Sequence, residues 1–152
     1  MNLARLEIDV MTDEGFRSTP YQDHLGFWTI GYGTRHILDR EVDERTGEIA
    51  STVARQILRS DLYKSILDAT ELFPRIREMN HFRQEVLANM AYNLGFRGLA
   101  GFRRMRAAGD LLSYDRMADE MVDSRWHSQV ASRAIRLEMI MRSGQYRRRA
   151  ST

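Results

Sequence analysis

Glu14, Asp23 and Thr29 are the residues of this chain whose types and spacing could do chemistry. Eight residues separate the two carboxyls, and five separate Asp23 from the Thr29 hydroxyl. Glycoside hydrolysis needs such a pair: one carboxyl protonated to deliver a proton to the leaving oxygen, one ionised opposite it. Phe16, Tyr21, Phe27, Trp28 and Tyr32 can wall such a site with apolar surface, and Gly26, Gly31 and Gly33 would let a bulky sugar approach the backbone. The spacing alone fits equally a helix-terminal Glu and a turn Asp, both solvated, with the aromatic residues serving as packing. Gly31-Tyr32-Gly33 is no dinucleotide fingerprint, since the third glycine and the following helix are missing.

The elements that must position these residues follow from periodicity. Leu3, Leu6, Val10 and Met11 share one side of a helix over 3–13, which exits at Glu14-Gly15. Residues 16–38 favour strands and are punctuated by Pro20, Gly26, Gly31 and Gly33, which predicts a small antiparallel sheet. Residues 39–50 are charged and turn-rich. From Ser51 to about Thr70, Val53, Ile57, Leu58, Leu62, Ile66 and Leu67 recur at three- and four-residue steps, with Ser51 or Thr52 as cap. Further helices are expected at 80–94 (Asn80 cap), 99–108, 114–123 (Ser113 cap) and 132–142 (Ser132 cap, Gly144 beyond the end). The expected class is α+β. A sheet lobe spans about 14–50, a connecting helix about 51–70 and a helical lobe about 71–146, with 1–13 packing on the helical lobe. A cleft between the lobes would suit an extended polymer.

Composition narrows the function. The 152 residues include no cysteine, so disulfides, Cys-ligated metals and a Cys nucleophile are excluded. His24, His36, His81 and His127 lack metal-ligand spacing, so no metal and no cofactor is expected. Apolar runs are only a few residues long and the N-terminus lacks a secretory layout, so no stable membrane insertion is expected and the chain should remain cytoplasmic unless released. Net charge is +2 but uneven: residues 1–74 carry 8 basic and 13 acidic side chains, residues 75–152 carry 15 and 8. Lys64 aside, every basic residue is Arg, with clusters at Arg103-Arg104-Met105-Arg106 and Arg147-Arg148-Arg149. A basic half fits an anionic envelope polymer or a nucleic acid, or else an ordinary solvated surface. No nucleic-acid recognition motif is present, so no nucleic-acid partner is expected. The nine methionines read as adaptable core filler.

Three blocks carry a family resemblance. Glu14-Gly-x-Arg, Tyr21-x-Asp23 and Gly26-x-Trp28-Thr29-Ile30-Gly31-Tyr32-Gly33 form the first. Asn89-Met90-Ala91-Tyr92-Asn93-Leu94-Gly95 with Gly98-Leu99-Ala100-Gly101-Phe102 form the second. Ser124-Arg125-Trp126 with Ser132-Arg133-Ala134-x-Arg136 form the third. In order and spacing they resemble the phage-type lysozymes, the muramidases of glycoside hydrolase family 24, over almost the whole chain. The resemblance implies a lysozyme-like α+β fold and metal-free hydrolysis of the β-1,4 bond between N-acetylmuramic acid and N-acetylglucosamine in peptidoglycan. It implies Glu14 as general acid, Asp23 as the residue that orients and activates water, and Thr29 as the holder of that water. It also implies substrate contacts at Gly33, Arg35, Tyr92, Met105 and Glu120. Met105 and Glu120 replace small polar residues of familiar members, Thr34 stands where a His is common, and the stretch between Asp39 and Ser51 is shorter. A monomer is expected, made in the host bacterial cytoplasm and reaching the wall through a holin if it is a free endolysin. A lytic transglycosylase would need no water-positioning pair, and a non-catalytic wall-binding or virion module would need no triad.

Overall fold

A computed structural model describes residues 1–147; Arg148 and Arg149 of the C-terminal arginine run lie outside the described residues. The α+β class expected from the sequence is the one observed. Helix α1 (Leu3–Glu14) leads into strands β1 (Arg17–Gln22), β2 (Trp28–Gly31), β3 (His36–Ile37) and β4 (Arg40–Glu41). Then come α2 (Ser51–Leu72), a 3₁₀ turn at Ile76–Glu78, α3 (His81–Ala100), α4 (Arg103–Asp110), α5 (Tyr114–Val122), α6 (Arg125–Gln129) and α7 (Ala131–Ser143). Contacts divide the chain into two compact units: Leu3–Tyr63, and Met1–Asn2 together with the chain from Lys64 onward.

The first unit is built on two antiparallel hairpins. β1 pairs with β2, with Tyr21 opposite Thr29 and Gln22 opposite Trp28; β3 pairs with β4. Leu6 and Val10 of α1, Ile30 of β2, and Ala54, Leu58 and Leu62 of α2 are buried. Gly31 lets β2 approach the start of α2: a Cβ there would lie 3.2 Å from that of Ala54. Leu3–Glu14 groups with the strands in this unit. Glu7 ties the helix to α2. It is 6% exposed on α1 and is paired with the guanidiniums of Arg55 and Arg59 on α2, the latter at 2.9 Å.

The second unit has a helical core of Phe73, Leu87, Met90, Leu99, Met105, Met117, Met121, Trp126, Leu137 and Met141, with several more apolar residues from the same helices. Methionines fill it, as their flexible thioethers allow. Asn80 caps α3 by accepting from the Arg83 N–H at 3.0 Å, and Gly144 ends α7 in the left-handed region at φ 68°. Two expected caps do not form. Ser113 precedes α5 but makes no side-chain capping bond, and α7 starts one residue before Ser132, behind Val130. Within α3 the first helix stops at residue 94 as expected, broken by Gly95 (φ 71°, ψ 172°), a conformation only glycine takes cheaply, and a short second helix runs on to Ala100. The helix expected over 99–108 begins later, at Arg103. α6, five residues capped by Ser124, is too short for periodicity to reveal. Among the described residues no helix is long and apolar enough to cross a membrane.

The Glu7 cluster yields a test. Burial acts to raise the Glu7 pKa, but hydrogen bonds and charge from Arg59 and Arg55 outweigh it and hold the carboxyl below its usual range. A depressed carboxyl pKa contributes stability that is complete above the unfolded value and lost as pH falls through the folded one. Glu7→Gln should cost about 1.5–3 kcal/mol at neutral pH, toward the lower end because both arginines are half exposed. Urea melts should show the gap between wild type and variant closing below the ordinary Glu value of 4.5. A gap unchanged from neutral pH into strong acid would contradict the assignment.

Candidate active site

Five of the eight residues expected from sequence lie in the unit Leu3–Tyr63: Glu14, Asp23, Thr29, Gly33 and Arg35. Glu14 is the last residue of α1, and Gly15 leaves the helix at φ 70° with its N–H on the Met11 carbonyl at 3.0 Å. The Glu14 carboxyl lies against the backbone of Gly33, which sits at φ 81°. A Cβ built there would be 2.9 Å from Glu14 Oε2. Gly33 is thus a close-approach glycine under the first carboxyl.

Asp23 begins the turn between β1 and β2. Its Oδ1 accepts from the N–H groups of Leu25 and Phe27, both at 2.9 Å. Its Oδ2 accepts from Arg35 Nη2 at 2.8 Å. Burial acts to raise the Asp23 pKa, but the Phe27 and Leu25 N–H groups and the Arg35 cation outweigh it, so the carboxyl stays ionised below its usual range. The turn is closed by the Asp23 N–H on the Phe27 carbonyl and the Gly26 N–H on the Asp23 carbonyl, both 2.9 Å. Thr29 is 3% exposed, and its hydroxyl donates to that same Phe27 carbonyl at 3.0 Å. One carbonyl therefore takes bonds from both the Asp23 backbone and the Thr29 side chain.

Phe27 and Tyr21, expected from sequence only as apolar walls, have closer ties to the carboxyls. Phe27 binds Asp23 through its backbone, and its ring carries the Arg35 guanidinium 4.2 Å from the centroid. Only the backbone bonds tie Phe27 to the carboxylate, and those leave no mark in residue type. Tyr21 was legible in principle, standing two residues before Asp23 and opposite Thr29. Its hydroxyl pKa is raised by burial first, then by the charges of Glu14 and Asp23, with Arg17 acting against them. Arg17 lies over the Tyr21 ring at 4.4 Å. Tyr21 thus senses both carboxyls. Arg35 was expected to touch substrate; the structure places it on Asp23.

The other three expected residues belong to the second unit. Tyr92 is a half-buried residue of α3. Met105 and Glu120 border one groove of about 620 Å³, together with Phe102, Arg103, Arg104, Asp123, Arg125 and Trp126. Met105 is 0% exposed and part of the helical core, so it backs the floor of the groove. Trp126 meets Phe102 edge-on at 6.2 Å and donates its indole N–H to Asn93 at 2.7 Å. It is packing first, as its type predicts.

A family model described as phage lysozyme matches residues 11–151. The chain is similar to the pre-baseplate central spike protein Gp5 of Enterobacteria phage T4, with 27% identity over 94% of this chain and 28% of that protein. It therefore spans well under a third of the spike protein's length. It is also similar to two Dictyostelium discoideum proteins named "Probable T4-type lysozyme 1" and "Probable T4-type lysozyme 2", at 23% and 22% identity. Each of those alignments covers 87% of this chain and 90% of the relative.

The Gly33 contact can be checked against an internal control. Gly26 also has a positive φ, of 84°, but a Cβ there meets nothing within 4 Å. Replacing either glycine by Ala should cost about 1–2 kcal/mol of backbone strain. Gly33→Ala alone should also displace the Glu14 carboxyl, read as a changed carboxyl ¹³C shift. Equal Glu14 shifts in the two variants would contradict the contact.

Proposed function

The chain belongs to the phage lysozyme family, and from that premise we propose that it hydrolyses the β-1,4 bond between N-acetylmuramic acid and N-acetylglucosamine in bacterial peptidoglycan. One observation carries the mechanism: Asp23 and Thr29 present acceptors only. The Thr29 hydrogen is committed to the Phe27 carbonyl, so its oxygen can only accept from a water. Asp23 is held ionised and accepts as well. A water bound by both has its two protons engaged and its lone pair free to attack.

The reaction then proceeds by inversion. Glu14, protonated, gives its proton to the glycosidic oxygen as the C1–O bond breaks. The water oxygen attacks C1 from the opposite face and loses a proton to Asp23. The products are a free hydroxyl on the leaving sugar and a reducing N-acetylmuramic acid end. Solvent returns the proton from Asp23 to Glu14. No metal or cofactor takes part in these steps. The chain acts as a monomer, and reaches its substrate at the wall after leaving the cytoplasm of the host.

Glu14→Gln keeps the shape of the side chain and removes the transferable proton. Loss of proton transfer is commonly worth ~10²–10⁴-fold in rate, and a loss of that order is expected on purified peptidoglycan, with the circular dichroism spectrum kept. Mass spectrometry of the wild-type digest should find reducing muramic ends. Anhydro-muramic ends would identify a transglycosylase instead. A folded Gln variant retaining more than about a tenth of the activity would remove Glu14 from the acid role.

A further inference from the structure

Asp23, as an ionised carboxylate, has about four acceptor positions on its two oxygens. Three are filled. Oδ1 takes the Leu25 and Phe27 N–H groups, and Oδ2 takes Arg35. A water can therefore use only the remaining position on Oδ2, next to the guanidinium. Arg35 is itself held: its guanidinium carbon lies over the Phe27 ring, and Phe27 is the residue whose N–H holds Oδ1. Asp23, Phe27 and Arg35 form a closed ring of contacts around one carboxylate. The Asp23 side chain is 17% exposed and that of Arg35 45%, so the pair faces the solvent side from which a substrate would come.

We propose that Arg35 is a positioning residue for hydrolysis, stacked on Phe27 and bonded to Oδ2 so that the Asp23 carboxylate keeps one oriented acceptor for the attacking water. The proposal rests on the reading of Asp23 as the water-activating base. Arginine suits the task where lysine would not, because a planar guanidinium can stack on a ring and bond a carboxylate at once. The same contact tunes the site. A neighbouring cation makes Asp23 a weaker base but keeps it ionised in acid, so cleavage continues at a pH where an isolated Asp would begin to protonate. Nearby, Tyr21 senses the charges of both Asp23 and Glu14, Arg17 lies over the Tyr21 ring, and His24 follows Asp23 in the turn. None of these bonds Asp23, so its depressed pKa depends on Arg35 and the two turn N–H groups.

The test is the pH dependence of kcat/KM on soluble peptidoglycan fragments for wild type, Arg35→Leu and Arg35→Lys, with a ¹³C NMR titration of the Asp23 carboxyl in the same proteins. Removing a cation within hydrogen-bond distance should raise the Asp23 titration by about one pH unit or more. The acidic limb of the rate profile should move up with it, a loss of roughly tenfold on that limb, while the alkaline limb stays in place. Arg35→Lys should restore part of the shift through charge alone. An unmoved Asp23 titration in Arg35→Leu overturns the assignment of Arg35 and leaves the reading of Asp23 standing. A titration that moves while the acidic limb does not would show that the rate does not follow Asp23. That result overturns the base assignment and takes the role of Arg35 with it.

Discussion

The backbone clasp between Asp23 and Phe27 is the constraint on which the site depends. The Asp23 N–H donates to the Phe27 carbonyl, and the Phe27 N–H returns to the Asp23 carboxylate, each at 2.9 Å. These two bonds close the turn between β1 and β2 and fix the carboxylate relative to the strand that follows. The Thr29 hydroxyl shares the same carbonyl, so the acceptor on β2 is set by the turn that sets Asp23. The ring of Phe27 then fixes Arg35. A five-residue turn thus orients two of the three chemical groups and the cation beside them. Its cost is an exposed aromatic ring, which the stacked guanidinium partly covers.

Glu14 is held by a different device. It ends a helix whose Glu7, two turns back, is anchored to α2 by Arg55 and Arg59. The same helix buries Leu6 and Val10 beside Glu7, so apolar packing and the ion cluster together fix the rotation of α1 about its axis. Gly33 supplies the seat for the carboxyl, because only a residue without Cβ leaves room there. The two carboxyls are therefore positioned by separate elements of one compact unit. The charges of both reach Tyr21.

Much of this was legible in residue order. The glycine after Glu14, the Asn80 cap and the Gly144 stop each have a local physical cause that the sequence displays. The ion pair of Arg35 with Asp23 spans twelve residues and exists only once the turn has closed, so no periodicity could announce it. The hold of Phe27 on Asp23 and Thr29 is carried by its N–H and C=O, which every non-proline residue has. Ser113 and Ser132 have the chemistry of caps without the backbone geometry that capping needs. Met105 was assigned to substrate by position in a motif, while its burial follows from the apolar face of α4 against the core. The tie between α1 and α2 runs through Glu7, whose partners lie about fifty residues away and on another helix, beyond the reach of local periodicity.

In the proposed reaction Asp23 and Thr29 hold the attacking water on the face opposite the leaving oxygen. The most direct measurement is ¹H NMR of the first-formed reducing end during digestion of peptidoglycan fragments, recorded before mutarotation. Attack from the opposite face on a β-linked muramic acid predicts the α anomer first, with the β anomer growing in later. A β anomer as the first product would mean attack through a covalent or same-face route, and would contradict the account.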